Sequence, residues 1–178
     1  MKTVLRYTAA GVALATFGFA SQASAATGSA QVRAEILSTL QVAAVTGDTT
    51  LDFGQIADSG LTASSTVTVA PTGALTCGTN LTCSGTANAP TFDITGLAGS
   101  SVAISFPSST ATLNYAGVIP TGMTGQMTVS ALTTSSTGMT LAAGAGVNTF
   151  TIGGTLTVNQ LQAPGVYTGA VSVQVLYN

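Results

Sequence analysis

Neither histidine nor tryptophan occurs among the 178 residues, and only 4% of them carry a formal charge. Each absence excludes something. Without histidine, the commonest general base and the commonest imidazole metal ligand are both missing. Three Lys and Arg residues cannot build the clustered cationic surface that phosphate binding needs, so no nucleic-acid partner is expected. An ordinary soluble domain is about 25% charged. Disordered chains combine high net charge with low hydrophobicity, whereas this one has 46% apolar residues and a net charge of −2. What is left is a folded and almost uncharged protein.

The few charges are unevenly placed. Lys2 and Arg6 precede an apolar run over residues 8–20 that is too short to span a bilayer, and Ala23-Ser24-Ala25 supplies the small residues a signal peptidase requires. Residues 1–25 therefore read as a signal peptide for the Sec pathway, with an uncleaved membrane anchor as the rival. The mature chain is expected to be a single domain over residues 26–178. Its sole basic residue is Arg33, against Glu35, Asp48, Asp52, Asp58 and Asp93, which gives a net charge of −4.

The mature chain is rich in Ser, Thr and Gly. Threonine suits a pleated surface because its branched β-carbon is already stiff, while Gly and Ser supply turns. Period-2 alternation follows almost from end to end. Over residues 30–44 the even positions read Ala30, Val32, Ala34, Ile36, Ser38, Leu40, Val42 and Ala44, with Gln, Arg, Glu and Thr among the odd ones. This predicts a long half-buried strand, or two in register, with a helix over residues 33–45 as the competing reading. Further strands are predicted over residues 51–56, 65–70, 91–95, 101–106, 126–132, 149–152, 155–158 and 166–177. Gly- and Pro-containing turns, Gly153-Gly154 among them, separate these strands. Eight or nine short strands at such spacing predict an all-β antiparallel sandwich.

Cys77 and Cys83 are the only cysteines, and in an exported protein such a pair is expected to form a disulfide. Two thiols without histidine do not make a metal site, and the spacing is not that of a redox motif. A serine nucleophile lacks a base, because the mature chain has neither His nor Lys. A carboxylate pair among the five acids could serve a glycosidase, but no aromatic-rich sugar cleft accompanies them. Asp48, Asp52 and Asp58 could gather around calcium, but they lack a dense acidic loop and read as solvated loop residues. No catalytic residue, cofactor, metal or small-molecule substrate is expected.

The C-terminus carries the most specific pattern. Val171, Val173, Val175 and Tyr177 alternate with Ala170, Ser172, Gln174 and Leu176. Counted back from Asn178 as one, the apolar residues fall at two, four, six and eight, and Gly165 falls at fourteen. This resembles the C-terminal β-zipper of chaperone–usher pilins. Pro164-Gly165-Val166-Tyr167-Thr168 through Val175 is similar to the closing strand of archaic pilins and the spore coat U family. Leu51-Asp52-Phe53-Gly54 is similar to a motif near the start of the same domains. The chain also resembles a secreted bacterial family catalogued only as a domain of unknown function. It departs from many pilins in its cysteines, which sit too close together to tie an early strand to a late one.

The resemblance implies an immunoglobulin-like sandwich that lacks its last strand, leaving an apolar groove with an unpaired edge. A periplasmic chaperone covers the groove in transit. At the outer-membrane usher, the N-terminal extension of the next subunit replaces it by strand addition, a recognised peptide-binding mode of which pilins are a standing example. Residues 26–36 are the candidate donor, with Ala30, Val32, Ala34 and Ile36 as plugs. Gly165, Val171, Val173, Val175 and Tyr177 are the candidate groove and chaperone-binding residues. The expected function is a structural subunit of a surface fibre polymerised from like copies. The alternative is a self-complete secreted sandwich with an adhesive or matrix role, in which residues 26–36 form an ordinary first strand.

Overall fold

Threonine alternating with valine or leucine builds the central strands. In Ser65–Val69, Val67 and Val69 are fully buried while Thr66 and Thr68 turn away from the core. The computed structural model describes residues 31 and 33–178, and no helix occurs among them. The strands in chain order are β1 (Gln41–Ala44), β2 (Gln55–Asp58), β3 (Ser65–Val69), β4 (Leu75–Cys77), β5 (Leu81–Ser84), β6 (Thr91–Thr95) and β7 (Ser101–Ser105). They continue with β8 (Ala111–Tyr115), β9 (Gln126–Thr134), β10 (Gly138–Thr140), β11 (Thr149–Val158), β12 (Tyr167–Thr168) and β13 (Gln174–Tyr177).

An eight-stranded sheet runs β1-β6-β11-β9-β8-β12, with β3 also on β11 and β4 on β3. Smaller sheets, β10-β7-β13 and β2-β5, complete the fold. Every ladder between named strands is antiparallel. The fold is thus all-β and sandwich-like, as the alternation predicts.

Two cores lie between these sheets. The first gathers Phe53, Val67, Val69, Val129, Leu156 and Val158, with Ile56, Leu81 and Cys83 of the β2-β5 pair packed against it. The second gathers Ile94, Val102, Ile104, Leu141, Phe150 and Ile152, with Val173, Val175 and Tyr177 at its side. Strand β11 serves both, giving Phe150 and Ile152 to one and Leu156 and Val158 to the other. Tyr167 at the start of β12 donates its hydroxyl hydrogen to the carbonyl of Ala163 at 2.6 Å. Such a tyrosine, bonded a few residues upstream, marks a corner in Greek-key sandwiches.

Three strand boundaries differ from the expectation. The run over residues 30–44 is a strand only at Gln41–Ala44 among the described residues, and Ala34, Ile36 and Ser38 are exposed and join no ladder. The competing helix over residues 33–45 does not form either. Gly153-Gly154 is not a turn but the middle of one ten-residue strand. A β-carbon on Gly153 would run into the carbonyl of Val69, so glycine there permits close approach of β3 rather than a reversal. The closing segment is two short strands, β12 and β13, instead of one over residues 166–177.

Residues 1–25, expected to be a signal peptide, lie outside the described residues, as do Ala30 and Val32. Gln31, Arg33, Ala34 and Glu35 are exposed and belong to no strand. Arg33 and Glu35 form an ion pair at 2.8 Å, a solvent-exposed contact of little energetic weight. The compact unit begins at Ile36 and runs to Asn178.

Candidate functional site: an apolar groove beside the closing strand

The closing segment changes sheets. Strand β12 pairs with β8 in the large sheet, and β13 pairs with β7 in the three-stranded one. Residues 169–173 between them join no ladder. Alternation nevertheless persists: Val171, Val173, Val175 and Tyr177 are half-buried, while Ser172, Gln174, Leu176 and Asn178 are exposed. The four apolar residues pack against the second core without being enclosed by it. Strand β13 is hydrogen-bonded to β7 along one edge, and no named strand pairs with its other edge.

Beside the unpaired stretch lies a cavity of about 370 Å³. Leu51, Phe53, Leu113 and Val129 line it from the first core, and Phe92 and Ile152 from the second. Ala44, the last residue of β1, borders it along with Gly169, Ala170 and Val171. The groove is therefore a seam between the two cores, bounded by the first strand and the closing segment. Most of its lining side chains are apolar, Thr49 and Thr50 add polar groups on one side, and no lining side chain is titratable. A concave surface of this kind suits apolar groups matched to it by shape.

Local chemistry explains how these walls are held. Asp52 accepts the Gly54 N–H at 2.8 Å, and Gly54 adopts φ +70°, so the chain turns sharply and Phe53 enters the core. A side chain at Gly54 would meet the Ser84 carbonyl at 2.6 Å. Asp48 ties the end of β1 to β6 through side-chain hydrogen bonds from Asn88 and Thr91, each at 2.5 Å. The Asn88 bond first, then that of Thr91, holds the Asp48 carboxyl below the usual carboxylate range against a smaller opposing desolvation. Asp58 accepts the N–H groups of Gly60 and Leu61 at 2.7 Å. These three aspartates thus serve separate turns. Asp93 accepts the Gly146 N–H at 2.7 Å on β6.

Gly165 sits where the chain enters β12, at φ +143°. A β-carbon there would strike the Tyr115 ring, which packs 5.4 Å from the ring of Tyr167. Tyr177 at the other end accepts the Leu97 N–H at 2.8 Å. The disulfide between Cys77 and Cys83 is present, with a Cα–Cα distance of 5.9 Å. It links more than a loop, because β4 belongs to the large sheet and β5 to the β2-β5 pair.

Of the expected groove residues, the structure brings Val171 to the cavity and sets Val173, Val175 and Tyr177 along the same line. Gly165 does not line it. Leu113 and Ala111 were not foreseen, although Ala111, Leu113 and Tyr115 alternate with Thr112 and Asn114, a period-2 signal in plain view.

The family model described as Domain of unknown function (DUF4402) matches residues 40–177. The chain belongs to that family. The match starts at Leu40, one residue before β1, and ends with the last residue of β13. No curated protein and no solved structure matches the chain.

Proposed function

We propose that this DUF4402 protein is a structural subunit of a surface fibre, a fimbria-like polymer built by donor-strand exchange along a chaperone–usher pathway. The observation that carries the proposal is the largely apolar groove beside a half-buried closing segment whose residues 169–173 join no ladder and whose β13 pairs along one edge only. An exposed apolar edge is a hazard for a lone domain and a template for a partner strand. Residues 26–36 of a neighbouring copy are the donor, with Ala30, Val32, Ala34 and Ile36 facing the groove. In support, Ala34 and Ile36 are bare in a single copy, and the family match leaves this segment outside the domain. Passage through the periplasm, capture by a chaperone, delivery by an outer-membrane usher and display on the cell surface belong to the same reading. So does the absence of any catalytic role.

The experiment is deletion of residues 26–36 in cells that also express the partner chaperone. The truncated subunit should still be recovered with the chaperone and should form no SDS-resistant ladder. Unfolding of the truncated chain despite the chaperone would instead favour a self-complete secreted domain of adhesive or matrix function. That second reading draws on one observation: Val67, Val69 and Ile94 are wholly buried within a single copy.

A further inference from the structure

Five large apolar side chains are exposed at one end of the sandwich, three of them for the greater part and Ile119 and Met123 by half or less. They are Val118 (91% exposed), Ile119, Met123, Leu161 (65%) and Val166 (69%). Two loops carry them, and backbone bonds stitch these loops together. The Ala116 N–H donates to Val166 O at 3.0 Å, the Thr124 N–H to Leu161 O at 2.9 Å, and the Ala163 N–H to Thr124 O at 2.9 Å. Leu161 adopts φ +56°, a left-handed backbone that disfavours any residue with a β-carbon. Its side chain nevertheless faces water. No charged residue follows Asp93 in the sequence, so neither loop carries a charge of its own. Adjoining bare apolar groups of this kind mark a contact surface.

We infer that this pole seats the body of the next copy in the fibre, an inference that rests on the donor-strand reading above. The direction of the donor decides it. Every named ladder here is antiparallel, and antiparallel pairing is the slightly stronger kind. A donor added antiparallel to β13 starts beside Tyr177 and ends beside Gly169. The body attached to the donor's C-terminal end therefore emerges next to Tyr167 and Val166, at the bare pole. Each copy's own extension leaves at Ser38, whose carbonyl is bonded to Tyr177, at the far end of the closing segment. At about 3.3 Å per residue, the eleven steps from Val166 to Tyr177 span at most about 36 Å. The exit end of one copy, where Ile36 and Leu37 are also exposed, thus meets the Val118 and Val166 pole of the next. The contact is head-to-tail, repeats with every copy and does not close, which builds an open filament. A parallel donor would bring the incoming body onto the end where the acceptor's own extension leaves.

The test uses the full-length protein purified from the periplasm, as wild type and as the double variant Val118→Asp, Val166→Asp. Both positions are exposed, so folding should survive, and thermal melting checks that it does. A synthetic peptide of residues 26–36 should stabilise both proteins equally. The double variant should then form SDS-resistant ladders at least tenfold more slowly than wild type. Equal peptide binding with ladders at the wild-type rate overturns the pole contact alone. A peptide that fails to stabilise even the wild type overturns the donor-strand reading, and the pole contact falls with it.

Discussion

Tyr177 donates its phenolic hydrogen to the carbonyl of Ser38 at 3.1 Å, across 139 residues of sequence. The same oxygen accepts the Leu97 N–H at 2.8 Å. One hydroxyl thereby holds the entry of the first strand, the β6–β7 connection and the end of the chain. Gly96 completes the arrangement, since a β-carbon there would lie 2.5 Å from that oxygen. The penultimate aromatic, singled out by its resemblance to pilins, therefore has structural work within its own chain.

Tyr177→Phe should cost about 1–2 kcal/mol, because the Leu97 N–H loses its acceptor while the ring stays in place. Urea denaturation of the two proteins measures the difference. In the fibre reading, Tyr177→Ala should in addition reduce recovery of chaperone complexes. Wild-type recovery would confine the residue to its structural role.

The disulfide should be intact in exported material, and mass spectrometry after alkylation without reduction should find no free thiol. Replacing Cys77 and Cys83 with Ser should lower stability by about 2 kcal/mol on the chain-entropy argument for so short a loop. Because the bridge joins β4 of the large sheet to the β2-β5 pair, its loss should be felt first in the smaller sheet. Hydrogen exchange should quicken at Ile56 and Leu81 before it quickens at Val67.

Asp48 makes stability depend on acid. Its carboxyl titrates below the usual range in the folded chain, so folding gains from the ionised form. That contribution is complete above the unfolded value, about pH 4, and is lost as the pH falls through the lower folded value. Asp48→Asn removes the ionised acceptor for Asn88 and Thr91. The gap in melting temperature between variant and wild type should be widest at neutral pH and should close in acid.

Much of this architecture is legible in the sequence, and the failures have physical causes. The core of Ser65–Val69 follows from alternation alone, because one face is buried and the other is not. Gly153-Gly154 misleads because a glycine pair signals both a turn and a close strand approach, and only the Val69 carbonyl across the sheet distinguishes them. Residues 30–40 mislead in the opposite sense. Their alternation is real, but within one copy Ala34 and Ile36 face no core, so the pattern alone cannot say whose core it matches. Short strands β4, β5 and β10 escape notice because three or four residues of Thr, Ser and Cys carry too little periodicity. The groove itself is a property of two sheets, and no local pattern reports the space between them.

Ala111→Leu distinguishes an acceptor groove from an incidental cavity. Ala111 is half-buried, packs on the first core and borders the cavity beside Leu113. Three added carbons at that position would extend into space that the chain leaves unfilled. A self-complete domain should simply benefit, with stability rising by about 1 kcal/mol as in other cavity-filling changes. An acceptor groove should gain the same stability as a monomer and lose its function, because the added side chain occupies the site of a donor plug. The expected result is a higher melting temperature together with loss of both SDS-resistant ladders and stabilisation by the peptide of residues 26–36. A variant that is more stable and still polymerises as wild type would show that the donor, if there is one, does not use this cavity. Measuring both quantities on one protein separates filling from folding, since a variant that merely misfolds would melt earlier rather than later.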